Sequence, residues 1–249
     1  MRKNILITGA SSGLGAGMAR EFAARGRNLA LCARRTERLE SLKAELLRDH
    51  PGIQVSVRAL DVDQHDQVFE VFRAFRQEFG TIDRIVVNAG MGKGAALGTG
   101  YFRANKQTAQ TNFVSALAQC EAAMEIFRAQ NAGHLVVIAS IAALRGMPRA
   151  QTTYAATKAG LAALAEGLRL DLMKTPIVVS TIYPGYIRSE INEKVKHTPF
   201  MVDTATGCRA LARAIEREPA NAYVPSWPWS LVGFLMKRMP LSAVGKLAS

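Results

Sequence analysis

The stretch "NILITGASSGLG", Asn4 to Gly15, decides the fold. Asn4–Thr8 is a short apolar, β-rich run, and a helical pattern follows near residues 14–25. Between them, Gly9, Gly13 and Gly15 permit a tight turn and let a pyrophosphate approach the backbone, with Ser11, Ser12 and Leu14 in the same turn. A helix opening directly behind such a turn offers unpaired N–H groups and the positive end of its dipole. The spacing is TGxxxGxG rather than plain GxGxxG. A lone glycine cluster means little; strand before and helix after make this one a candidate dinucleotide turn.

Working outward, six more apolar runs follow: Asn28–Cys32, Ile53–Ala59, Arg84–Asn88, His134–Ala139, Ile177–Ile182 and a weaker Ala222–Val224. Helical patterns separate them near 36–48, 65–79, 103–130, 154–173 and 203–217. Continuous apolar strands alternating with helices predict a parallel sheet covered on both faces. The expected fold is α/β: a single Rossmann-like doubly wound domain over residues 1–225, its sheet mainly parallel and about seven-stranded. Residues 226–249 form an apolar, basic tail. Ligands in such sheets bind beyond the carboxyl ends of the strands, so those ends carry the functional reading.

The second run ends at Ala33-Arg34-Arg35. A site for an unphosphorylated ribose usually has a carboxylate here. Two guanidiniums instead suit a 2′-phosphate, with Ser11 as an added hydroxyl, so the expected cofactor is NADP(H). After the third run, Asp61 either accepts from an adenine amino group, with Val62 against the ring, or caps the helix beginning near Gln64. Asn88-Ala89-Gly90 ends the fourth run; the small pair lets the backbone lie against the cofactor, and Asn88 braces neighbouring strands. Ser140 ends the fifth run and faces the same crevice. Pro184 and Gly185 end the sixth, turning the chain so that Ile187 and Ser189 approach the nicotinamide end.

"YAATKAG", Tyr154 to Gly160, heads an alanine-rich helix. Positions i and i+4 share a helix face, so Tyr154 and Lys158 project together. By itself the pair reads as an amphipathic edge with a snorkelling lysine. Its company changes that reading.

Taken in order, Thr8 to Gly15, Asp61, Asn88-Ala89-Gly90, Asn112, Ser140, Tyr154-x-x-x-Lys158 and Pro184-Gly185 resemble the short-chain dehydrogenase/reductase family over roughly residues 3 to 190. The resemblance implies hydride transfer between nicotinamide and a carbonyl or alcohol carbon. It implies Tyr154 as general acid/base and Lys158 as the charge that stabilises its phenolate and bonds the nicotinamide ribose. Ser140 would orient the substrate oxygen, and Asn112 would hold a water linking Lys158 to solvent. Two departures stand out. Ser140 and Tyr154 are 14 positions apart where the family more often has 13, which places an extra residue in the loop between Pro148 and Tyr154. Ser189 stands where the family often carries threonine.

Met91, Leu144, Met147, Tyr186 and Ile191 are the expected substrate contacts; their apolar character points to a hydrophobic ketone, aldehyde or alcohol. A cofactor-binding scaffold or sensor is the rival function, since fold does not fix function. A lyase or epimerase without net redox is a third reading. The tail's tryptophans and lone basic charges suit a lid, a subunit contact or peripheral membrane contact. By the family's habit the chain would form a homodimer or homotetramer.

Composition bounds the rest. Of 249 residues, 49% are apolar, enough for a substantial core. Net charge is +12, but acidic residues interleave with basic ones and no recognition helix is visible, so no nucleic-acid role is expected. Cys32, Cys120 and Cys208 are too dispersed for a disulfide framework or a metal site, which fits a reducing, cytoplasmic setting, with membrane association left to the tail. The apolar run Ile5–Ile7 is too short for a signal peptide, and no stretch reaches spanning length.

Overall fold

In the computed structural model, residues 2–190 and 198–248 are described, with side chains described up to residue 244. Seven strands form one parallel sheet in the order β3-β2-β1-β4-β5-β6-β7. The strands are β1 (Asn4–Thr8), β2 (Asn28–Ala33), β3 (Val55–Ala59), β4 (Arg84–Val87), β5 (Gly133–Ile138), β6 (Ile177–Pro184) and β7 (Asn221–Val224). Each of the seven expected runs lies on a strand, with ends within two residues.

Helices cover both faces. Ile5 and Ile7 of β1 pack toward α1 (Gly13–Ala23), α2 (Thr36–Asp49) and α7 (Thr204–Glu216), while Leu6 packs the other way, toward α3 (His65–Phe79), α5 (Ser115–Gln130) and α6 (Gln151–Asp171). The period-two alternation of a strand thus feeds two cores. β2 repeats it, with Leu29 and Leu31 on the first face and Ala30 and Cys32 on the second.

The helical pattern at 103–130 is not one α-helix. It divides into α4 (Phe102–Ala109), a π-turn at Gln110–Val114 and α5. Single π-turns inside α-helices recur at functional sites. The tail forms α8 (Ser226–Arg238) and α9 (Leu241–Ala248). No helix among the described residues is long and apolar enough to cross a membrane.

Strand order reverses between β1 and β4, so a crevice opens beyond their carboxyl ends. The opposite end of the sheet is closed by charge. Buried Arg84 donates to His134 Nδ1 at 2.8 Å and to Glu218 at 3.1 Å, and Arg2 adds a second guanidinium to Glu218 at 2.8 Å.

Candidate active site

The crevice is a cleft of about 860 Å³. Gly9, Ser11, Ser12, Gly13 and Leu14 line it after β1, Ala33, Arg34 and Arg35 after β2, and Asp61 and Val62 after β3. Asn88, Ala89, Gly90 and Met91 follow β4, Ser140 follows β5, and Pro184, Gly185, Tyr186, Ile187 and Ser189 come from the end of β6. Tyr154 and Lys158 of α6 complete the wall. Residues spread over 180 positions of sequence therefore share one cavity.

The glycine turn is built for close approach. Gly9 has φ +65°, and a Cβ there would stand 2.9 Å from Ala89 Cα. A Cβ on Gly15 would meet the Gly9 carbonyl oxygen at 2.4 Å. Ser12 is the N-cap of α1 but makes no capping hydrogen bond, so its side chain leaves the first-turn N–H groups of that helix uncapped beside the cleft. This glycine cradle, helix end and arginine pair fit a phosphorylated dinucleotide.

Asn88 ties β4 to β1: its amide donates to the Thr8 carbonyl at 2.8 Å, and its backbone N–H reaches Thr8 Oγ1 at 3.1 Å. Asp61 Oδ1 accepts from Asp63 N at 3.2 Å, its backbone carbonyl accepts from Gln64 N at 2.9 Å, and the Gln64 side chain, at the N-cap of α3, makes no capping bond. The Asp61 carboxylate thus shapes the turn before α3 and does not cap it, while remaining on the cleft wall with Val62.

Asn112 is fully buried in the π-turn. Its Oδ1 accepts from Met91 N and its Nδ2 donates to Met91 O, both at 2.8 Å. The side chain fixes the segment after β4, and its Nδ2 also reaches Thr157 Oγ1 of α6 at 3.5 Å. A Cβ on Gly90 would lie 3.1 Å from Asn112 Oδ1 and 3.5 Å from Lys158 Nζ, so only a glycine leaves this junction unobstructed.

Lys158 is buried and donates from Nζ to the Ile138 carbonyl at 2.7 Å. Burial pulls its pKa down to about 8. Burial also raises that of Tyr154, the Ser140 hydroxyl opposes this by hydrogen bonding, and Tyr186 adds to the rise. Among these influences burial is the largest, and the hydroxyl at 140 is the one that lowers the value. Ser140 Oγ accepts from Ala142 N at 3.2 Å, which orients it at the start of the 3-10 turn Ile141–Leu144. α6 begins at Gln151, so Tyr154 lies in its first turn and the substrate-side loop ends at Ala150.

Of the expected substrate contacts, Met91 and Tyr186 line the cleft. Leu144 and Met147 do not; Leu144 instead packs toward Gly233 of α8, because the 3-10 turn carries it to the tail side. Ile191 lies outside the described residues. The sequence reading missed Lys93, Gln107, Thr111, Asp63 and Glu190 on the cleft wall. Asp63 accepts from Thr111 at 2.9 Å and Ser115 at 2.6 Å, a link between loop and helix that no local pattern signals. Among the described residues, no cluster of His, Cys, Asp or Glu could hold a metal ion.

Comparisons with known proteins agree with this fold. The short chain dehydrogenase family model matches residues 3–199. An uncharacterized oxidoreductase of Mycobacterium tuberculosis is 54% identical over 239 residues, covering 96% of this chain and 94% of its own. The NADPH-dependent 3-quinuclidinone reductase of Rhodotorula rubra superposes with TM-score 0.79 at 25% identity, over 87% of this chain and 84% of its own. A short-chain dehydrogenase/reductase of Burkholderia phymatum in complex with NAD superposes with TM-score 0.83 over 99% and 96% of the two chains; at 20% identity, that likeness shows the fold.

Proposed function

The chain belongs to the short-chain dehydrogenase family, and on that premise we propose that it is an NADP(H)-dependent oxidoreductase acting on a carbonyl or alcohol group of a hydrophobic small molecule. One observation carries the reading: Ser140, Tyr154 and Lys158 open onto the same cleft as the glycine turn and the arginine pair.

NADP(H) would be held by Gly9 to Gly15, Arg34, Arg35, Asp61, Val62 and Asn88 to Gly90, and it supplies or takes the hydride. The protein handles the proton. In reduction the substrate oxygen takes the Tyr154 phenolic proton; in oxidation Tyr154 accepts it back. An ordinary phenol lies ~4 kcal/mol from ionisation at pH 7, and the half-buried one here lies further, so the proton stays on Tyr154 until the substrate oxygen becomes basic. Ser140 Oγ accepts from Ala142 N, and its one hydroxyl hydrogen, shared with Tyr154, would turn to the substrate oxygen once that oxygen is bound. Lys158 uses one N–H on Ile138 and keeps others for the nicotinamide ribose. Asn112 fixes Met91 and the segment against which the ring would lie, and Pro184, Gly185, Ile187 and Ser189 close the nicotinamide end.

Met91 and Tyr186 make the substrate end apolar. Trp229 is buried over Gly185 and meets Tyr186 edge-on at 5.8 Å, so α8 closes the back of that end. We assign the outer face of α8, with exposed Trp227, Leu231 and Phe234, to a contact in a homo-oligomer. The three free, buried cysteines suit a reducing cytoplasm.

The test is NADPH absorbance against a panel of apolar ketones and aldehydes, with Tyr154→Phe alongside. Turnover lost in the variant supports the assignment. Tight NADPH binding with no oxidation across the panel would favour a silent scaffold.

A further inference from the structure

Resting on the NADP(H) reading, we propose that Glu190 is an internal anion that competes with the cofactor's 2′-phosphate for the cradle formed by Ser12, Arg35 and Arg38, and so tempers this chain's preference for the phosphorylated coenzyme.

Glu190 lies on the cleft wall with Ser12 and Arg35. Its Oε2 accepts from Ser12 Oγ and from Arg35 Nη2, both at 3.0 Å. Its Oε1 accepts from Arg38 Nη1 at 2.8 Å and Arg35 Nη1 at 3.4 Å. Arg35 further donates to Ser12 Oγ at 2.6 Å and through Nε to Ser11 Oγ at 3.3 Å. Two guanidiniums and a serine hydroxyl thus converge on one carboxylate, the arrangement that also recognises a phosphate monoester.

Both terminal nitrogens of Arg35 face Glu190, so a 2′-phosphate must exchange with the carboxylate to use them. Arg34 stands on the same wall and makes no ion pair with a described residue, so it can meet the phosphate first. The exchange subtracts the Glu190 contacts from the phosphate's gain, a tax on apparent affinity. A coenzyme without the 2′-phosphate never needs that exchange. The arginines and serine hold the Glu190 pKa down to about 2, so the competitor is ionised throughout the neutral range. Its side chain is 53% exposed, so replacing it opens no cavity.

The experiment is calorimetric binding of adenosine 2′,5′-bisphosphate and adenosine 5′-monophosphate to the wild type, Glu190→Gln and Glu190→Ala at physiological ionic strength. Both variants should bind the bisphosphate about three- to tenfold tighter, the scale of one or two exposed ion pairs. The monophosphate should move less than about twofold, since charges beyond roughly 8 Å are screened. Unchanged or weaker bisphosphate binding would overturn the proposal, the weaker case meaning that Glu190 clasps the cofactor. Equal tightening of both ligands would also overturn it, as a general charge effect. If the bisphosphate binds more tightly than the monophosphate but equally in all three proteins, the NADP(H) reading stands and Glu190 drops out. If it binds no better than the monophosphate in any of them, the NADP(H) reading itself fails, and this proposal with it.

Discussion

Lys158 Nζ donates to the carbonyl oxygen of Ile138 at 2.7 Å, fastening α6 to the last residue of β5. The bond holds a cation in a buried place, and burial lowers its pKa from 10.5 to about 8. A lysine whose folded pKa is depressed binds fewer protons folded than unfolded between those two values. Its charge therefore costs stability in full below about pH 8, and the cost disappears as pH rises toward 10.5. Lys158→Met should unfold at higher urea concentration than the wild type at pH 7, by about 1–2 kcal/mol after the orphaned Ile138 carbonyl is counted. The gain should vanish between about pH 8.5 and 9.5 and become a loss by about pH 10.5, because the wild-type penalty fades while the cost of the orphaned carbonyl remains. Turnover should be lost at every pH, a gain in stability set against function.

The same titration bears on wild-type activity. If the charged ammonium is needed, kcat falls as pH rises through about 8. A pH profile that stays flat from pH 7 to 9.5 would remove Lys158's charge from the mechanism.

Tyr154→Phe keeps the ring and removes the proton. General acid/base catalysis contributes about 10²- to 10⁴-fold, so kcat should fall by at least 10²-fold. NADPH affinity, read by fluorescence titration, should change less than about threefold. A variant with normal kcat would require another proton source in the cleft.

Arg34 is the arginine of the pair not engaged by Glu190. Arg34→Ala should weaken NADPH by about tenfold or more, the scale of a lost charge-assisted hydrogen bond, and leave NADH within about twofold. Equal losses for both coenzymes would take the 2′-phosphate away from this residue.

Much of this was legible in the sequence, for physical reasons. β1 and β2 lie inside the sheet and read as continuous apolar runs, and the glycines stand where a positive φ or a 2.4 Å clash forbids a side chain. Two kinds of feature stayed hidden. The π-turn leaves no mark on periodicity, and its buried Asn112 bonds Met91, 21 residues earlier, a partner that no local pattern points to. Glu190 reaches Ser12 across 178 positions, and nothing near residue 190 announces that meeting. Leu144 packs toward Gly233 of α8, since apolar character does not say which side of a turn a residue will take.

Gly185 and Trp229 give the last test. A Cβ on Gly185 would stand 2.1 Å from the indole Nε1 and Cε2, far inside contact distance. Trp229 is 3% exposed and holds α8 against the strand that ends at Pro184, while Phe200 meets its other side edge-on at 6.0 Å. The indole is rigid and enclosed, so Gly185→Ala cannot be absorbed by a rotamer change; α8 must shift away from the cleft. Overpacking of this kind costs about 1–3 kcal/mol. NADPH affinity should fall less than the substrate KM rises, since the glycine turn and the arginines lie at the other end of the cleft and only the nicotinamide end is disturbed. KM for an apolar substrate should rise at least fivefold, because the wall behind Tyr186 has moved. Trp229→Phe in the same background should restore part of that loss by returning space at the indole. An unchanged KM in Gly185→Ala would mean that α8 takes no part in shaping the substrate end.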